Sequence, residues 1–173
     1  MSISAMLLPE FDQEVANTRK MLERYPSGLG DYKPHPKSMT LERLAGHVAE
    51  MPMWAAMTMN TDHLQLDMNS YKPTIAENAQ QVVEVFDNGA KDARKLIADA
   101  TDEDFQKIWR ISMNGREMMA MPKIAVLRSM FMNHMIHHRA QLGVYLRMND
   151  IQIPGMYGPT ADDPNPFASS QKV

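Results

Sequence analysis

The chain has 173 residues, 18 Lys and Arg against 21 Asp and Glu, six His, eighteen Met and no Cys, for a formal net charge of −3. Without cysteine there is no disulfide framework, no Cys-ligated zinc, no iron–sulfur cluster and no thiol nucleophile from the protein itself. The charge balance lacks the clustered cations that a phosphate backbone requires, so nucleic acid is not an expected partner.

The N-terminus, MSISAMLLPEFDQE, carries no leader pattern and no apolar run reaches spanning length, so a cytoplasmic protein without a membrane segment is expected. The length fits a single domain over residues 1–173, with its helical part at about 7–149.

Leu7, Phe11, Val15, Thr18, Leu22 and Tyr25 fall at helical spacing and predict a first amphipathic helix closed by Tyr25-Pro26. The stretch PSGLGDYKPHPK is a loop by its proline and glycine content. Ser38 or Thr40 can cap a second helix with an apolar stripe through Leu41, Leu44, Ala45, Val48, Met51 and Ala55, kinked at Pro52. A third helix is predicted from a capping box at Thr74-Ile75-Ala76-Glu77, its stripe running through Ile75, Ala79, Val82, Phe86, Ala90, Ala93 and Ile97.

A short capped turn at Thr101 to Asp104 follows. From 109 to 119 the helical period gives way to alternation around Asn114-Gly115, which reads as extended chain or a small hairpin. A fourth helix starts near Pro122 and ends around Asn149, lined by Leu127, Phe131, His134, His138, Gln141, Leu142 and Tyr145. The Pro- and Gly-rich tail, 150–173, is expected to be irregular. Four amphipathic helices predict an all-α chain built as a four-helix bundle, with room for a crossover in its longer connections.

The chemistry concentrates in His134-Met135-Ile136-His137-His138. Residues four apart on a helix share a face, about 5–6 Å apart at Cβ, so His134 and His138 can aim at one point. His137 is an alternative partner for His134, but the stripe favours His138. Two imidazoles one turn apart on a core-facing stripe are satisfied more simply by a shared ion than separately. Zn, Ni or Fe would suit them. His47, on the stripe of the second helix, is the best third ligand, while His35 and His63 read as bystanders. Three neutral ligands would leave a divalent ion its charge and an open position, the pattern of a catalytic site.

The block Leu44-Ala45-Gly46-His47-Val48-Ala49-Glu50, followed by His134 to Arg147 on the last helix, resembles the DinB family, the DinB/YfiT-like superfamily, over about Leu7 to Arg147. The resemblance implies a four-helix bundle with a crossover, a divalent metal held by His47, His134 and His138, and a homodimer. Relatives include thiol S-transferases using mycothiol, bacillithiol or glutathione, a maleylpyruvate isomerase, and members described as metal-dependent hydrolases.

Around the histidines, Glu50 reads either as an acceptor that orients His47 or as a surface acid, and Gln141, three residues after His138, as a side chain that could meet a ligand or a ligand's partner. Arg139, rotated about 100° from His138, reads as one half of an interhelical or inter-subunit ion pair. Met51, Met53, Met57, Met130 and Trp54 are expected to wall a pocket; Met at helical spacing is more often core filler than a copper ligand. The leading functional expectation is an enzyme whose metal activates a small thiol cofactor or a water for attack on an electrophilic small molecule. The alternative is a non-catalytic metal-binding or stress-response protein with a structural or sensing triad.

Overall fold

In the computed structural model, which describes residues 1–163, the chain is predominantly helical with a small sheet at one end. Helix α1 spans Ile3–Leu22 and opens earlier than the Leu7 stripe predicts, because the Ser2 hydroxyl accepts the Ala5 N–H at 3.2 Å. Of the two candidate caps for α2 (Leu41–Asn60), Thr40 is used, its hydroxyl accepting from the Arg43 N–H. The helix runs on through Pro52. Gly89, on the next helix, lies against this point, where a Cβ would stand 3.2 Å from Pro52 Cβ and 3.3 Å from Met53 N.

The third helix corrects the sequence reading. Helix α3 spans Ala79–Asp99 and is capped by Asn78, whose side chain accepts the Gln81 N–H at 2.9 Å. Thr74 to Glu77 is extended instead of helical. Its backbone donors find partners on α2: the Thr74 N–H donates to Glu50 Oε2 at 3.1 Å and the Ala76 N–H to the Glu42 carbonyl at 3.1 Å. Tertiary acceptors thus replace the helical ones, and Ile75, placed on the stripe by its spacing, is exposed. Gly46 permits the crossing, since a Cβ there would lie 2.0 Å from the Thr74 carbonyl oxygen.

The expected all-α chain is also corrected, to a mainly helical one with a mixed three-stranded sheet in the order β1 (His63–Leu66), β2 (Ile108–Met113), β3 (Arg116–Pro122). After the short helix α4 (Asp102–Gln106), which carries a capping box between Thr101 and Asp104, come β2 (Ile108–Met113) and β3 (Arg116–Pro122). This antiparallel hairpin is the one the alternation predicts. Asn114 and Gly115 at its tip have φ of 51° and 75°, the left-handed pair that a two-residue type I′ turn requires. Strand β1 (His63–Leu66) pairs parallel with β2; it alternates polar and apolar over only four residues, and the sequence reading does not include it. Trp109, buried in β2, donates its indole N–H to Thr61 Oγ1 at 3.0 Å and so ties the sheet to the end of α2.

The last helical stretch is continuous but not uniform. Helix α5 (Lys123–Val126) passes into a π-helical segment, Leu127–Asn133, and then into α6 (His134–Arg147). Helices α1 and α2 each pack on α3 and on α6, so α1 stands across the core from α2, and α3 from α6. Connections from α1 to α2 and from α3 to α5 therefore join helices that are not side by side. Leu22, Leu44, Val48, Phe86, Ile97, Leu127 and Leu142 fill the shared core, and Phe11 meets Phe131 with ring centroids 5.7 Å apart. Each such fully buried side chain contributes about 1.5–3 kcal/mol relative to exposure. Residues 151–160 carry no helix or strand, as the tail composition predicts; the part of the tail at 164–173 lies outside the described residues.

Candidate metal centre

Packing of α6 on α2 brings His47, His134 and His138 together, with one ring nitrogen from each lying within 4.8 Å of the others. Ring centroids are 4.6 Å apart for His134 and His138, 4.7 Å for His47 and His138, and 5.2 Å for His47 and His134. His138 is buried and the other two half-buried. His137 is exposed and packs its ring beside that of His138, outside the group of three. His35 and His63 are exposed and remote from the group; His63 Nε2 meets Ser112 Oγ at 2.9 Å on the sheet.

Each of the three rings has its Nδ1 engaged by an oxygen. His47 Nδ1 lies 2.9 Å from Glu50 Oε1, His134 Nδ1 3.3 Å from the Met130 carbonyl and His138 Nδ1 2.8 Å from Gln141 Oε1. Ionised carboxylate, backbone carbonyl and amide oxygen only accept, so these contacts favour the proton on Nδ1 and a lone pair at Nε2; Arg43 Nη2, 3.5 Å from His47 Nδ1, is the longer contact there. His134 Nε2 and His138 Nε2 stand 2.8 Å apart. Two lone pairs at that distance repel unless a cation lies between them, and imidazoles oriented through Nδ1 are the usual metal-ligating arrangement. The residues present therefore form a group that could hold a divalent ion.

Local sequence explains each anchor. On α2, His47 and Glu50 are three residues apart and share a face. On α6, the same spacing joins His138 to Gln141. His134 depends on the π-helical segment: its N–H is directed to the Phe131 carbonyl. The Met130 carbonyl, which an α-helix would commit to that N–H, instead meets the imidazole.

Glu50 is buried and is the centre of a polar cluster. Besides His47, its carboxylate accepts from the Tyr71 hydroxyl at 2.6 Å, Arg43 Nη2 at 3.1 Å and the Thr74 N–H at 3.1 Å. Burial pushes its carboxyl up, but the hydrogen bonds from His47, Tyr71 and Thr74 and the Arg43 charge outweigh that and hold it at about 2. Burial lowers His138 to about 4, assisted by the neighbouring His47, His134 and His137 against the opposing Gln141 hydrogen bond. His134 is lowered by burial and by His47 and His137, against the opposing bond to the Met130 carbonyl. Both rings are thus neutral at pH 7, as ligands must be.

Arg139 turns away, to α1. Its guanidinium, nearly fully buried, pairs with Glu14 at 2.7 Å, bonds Thr18 Oγ1 at 3.0 Å, and meets the Tyr157 hydroxyl at 2.6 Å. This is the interhelical ion pair of the sequence reading. Of the expected pocket walls, Met53, Trp54 and Met57 line one cavity, whereas Met51 is core and Met130 is exposed outside it. Tyr71 escaped the sequence reading, because loop residues carry no periodicity, and Thr74 entered it only as a helix cap. Arg43 was legible in principle, one turn before His47 and two turns before Glu50.

A mainly helical chain with three convergent imidazoles between its second and last helices defines the class of protein. The sequence matches the model of the DinB family over residues 1–170, and the chain belongs to that family. Among solved structures, a DinB-like protein from Bacillus cereus is 22% identical, with a TM-score of 0.69 over 90% of this chain and 98% of that one. A DinB-like protein from Bacillus subtilis is 20% identical, with a TM-score of 0.66 over 87% and 97%. These likenesses are of fold. No curated protein matches the chain significantly.

Proposed function

We propose that the protein is a divalent-metal-dependent enzyme that promotes attack by a small thiol, or by water, on an electrophilic small molecule, with His47, His134 and His138 as the ligands. Zn, Ni or Fe suits three imidazoles. When bound, such an ion supplies Lewis acidity, lowering the pKa of a thiol or water and polarising an electrophile. The observation that carries the reading is the convergence of the three rings, every Nδ1 engaged by oxygen and Nε2 of His134 facing Nε2 of His138.

The chain's own residues do the positioning. Glu50 holds the His47 ring through Nδ1 and is itself held by Tyr71, Arg43 and the Thr74 backbone. Because the three ligands are neutral, they leave the ion's charge undiminished for the reacting group. With no cysteine in the chain, a sulfur nucleophile arrives only with a cosubstrate. The reading also carries a fourfold helical bundle with a crossover, a homodimer, as in the family it resembles, and a cytoplasmic setting. No helix among the described residues is long and apolar enough to cross a membrane.

The test is metal analysis of protein purified without a histidine tag, followed by conjugation of small thiols to a model electrophile with and without chelator. A stoichiometric divalent ion and chelator-sensitive turnover support the enzyme. Stoichiometric metal with neither thiol conjugation nor hydrolysis supports the non-catalytic triad instead, and turnover indifferent to chelator refutes metal catalysis.

A further inference from the structure

Glu50 and Tyr71, which position His47, also line a cavity of about 300 Å³ between α2, β1 and the segment that follows β1. Its apolar wall is made by Met53, Trp54 and Met57 of α2 and by Leu64 and Leu66 of β1. The volume is at the small end of the range for ligand pockets, enough for a single substituted ring. A larger cavity, of about 470 Å³ between α6 and residues 153–160, shares no residue with the triad or its holders.

The lining has a definite chemistry. An indole face and two thioethers are polarizable, and both make favourable contacts with aromatic rings. Met53 is 51% exposed beside the cavity, an apolar surface that a bound molecule would cover. The Trp54 indole N–H has no hydrogen-bond partner among the described residues, whereas that of Trp109 is satisfied by Thr61, so a donor is left for an acceptor atom of a ligand. One Asp and one Lys, Asp67 and Lys72, sit on the wall, and Glu50 is already paired with Arg43. The lining thus has no surplus of cation for an anionic group.

We propose that this cavity is a binding subsite beside the metal centre and takes a neutral, single-ring aromatic compound, one end of it against Glu50 and Tyr71. The proposal rests on the metal-dependent reading above and adds the substrate class.

The probe is 4-nitroanisole, a neutral nitroaromatic that quenches tryptophan on contact. Of the two tryptophans, Trp109 is 2% exposed and serves as background while Trp54 reports the cavity. Saturable quenching is expected in the native protein and is lost in Trp54→Phe. Met57→Glu and Leu64→Glu, each only half-buried, should weaken it at least about tenfold with circular dichroism and metal content unchanged. Quenching that is linear in probe, or saturable but unaffected by both glutamates, overturns the proposal.

Proton line widths of the probe with Co(II)-loaded against Zn(II)-loaded protein then test adjacency. Broadening with Co(II), absent in His134→Ala, supports the subsite. Metal bound and probe bound without broadening overturns it. A protein that takes up neither ion refutes the metal reading, and the quenching data still decide whether the cavity binds an aromatic ring.

Discussion

His134 Nε2 lies 2.8 Å from His138 Nε2, each ring having its proton committed at Nδ1 to an oxygen on its own helix. No donor among the described residues satisfies those facing lone pairs, and a shared cation would. His47→Ala, His134→Ala and His138→Ala should therefore each abolish stoichiometric metal, measured by elemental analysis, while far-ultraviolet circular dichroism stays native. His137→Ala, His35→Ala and His63→Ala should retain it.

Glu50→Gln keeps the shape of the side chain and removes its charge. The His47 ring loses its anionic acceptor and Arg43 its partner, so metal affinity should fall about 10–100-fold. Stability should fall by about 1–3 kcal/mol. Competition with a chelator and denaturant unfolding give the two numbers. Tyr71→Phe removes one of the four hydrogen bonds to the same carboxylate and should cost about 1 kcal/mol, with a smaller loss of affinity.

Gly46→Ala tests the crossing of the extended segment over α2. A methyl group placed 2.0 Å from the Thr74 carbonyl must displace backbone, with a stability loss of about 3 kcal/mol, the upper end of overpacking costs. Since that segment delivers Thr74 and Tyr71 to Glu50, metal affinity should decline along with stability. A variant that unfolds at the native midpoint would mean the segment is free to move.

Arg139→Met separates support of the fold from support of the site. It leaves Glu14, 4% exposed, without its cation and should destabilise the protein by about 3–5 kcal/mol in denaturant melts. Metal per folded molecule should be unchanged, although Arg139 is next in sequence to His138.

Metal-free protein should lose stability in acid in two overlapping windows. The folded His138 pKa, about 4, is below the ordinary value of 6.5, so the unfolded chain binds more protons between them and stability falls as pH drops from about 6.5 to 4. Glu50, lowered from 4.5 to about 2, adds a further loss from about 4.5 to 2. Urea midpoints measured across pH 7 to 3 should decline throughout. In His138→Ala the upper part of that decline should flatten.

Helix existence was legible because burial repeats in the sequence with the helical period: Leu22, Leu44, Phe86 and Leu142, placed inward by spacing, are all at or near complete burial. The histidine pair one turn apart was legible for the same reason, and so was the turn at Asn114-Gly115, whose residue types match the φ they adopt. Local rules misplaced the start of the third helix, where Thr74 and Glu77 satisfy a capping pattern but α2 offers the backbone better partners.

By itself the sequence determined the helical stripes, the absence of protein sulfur nucleophiles and thiolate ligands, and the placement of His134 and His138 on one helix face, since these follow from residue type and spacing along one element. Only the tertiary structure decided that His47 faces the α6 pair, that Glu50 is buried and bound four ways, that β1 joins the hairpin, and that a cavity shares its wall with the cluster around Glu50. Those relations join residues tens of positions apart, and nothing in local periodicity encodes which faces meet when the helices pack.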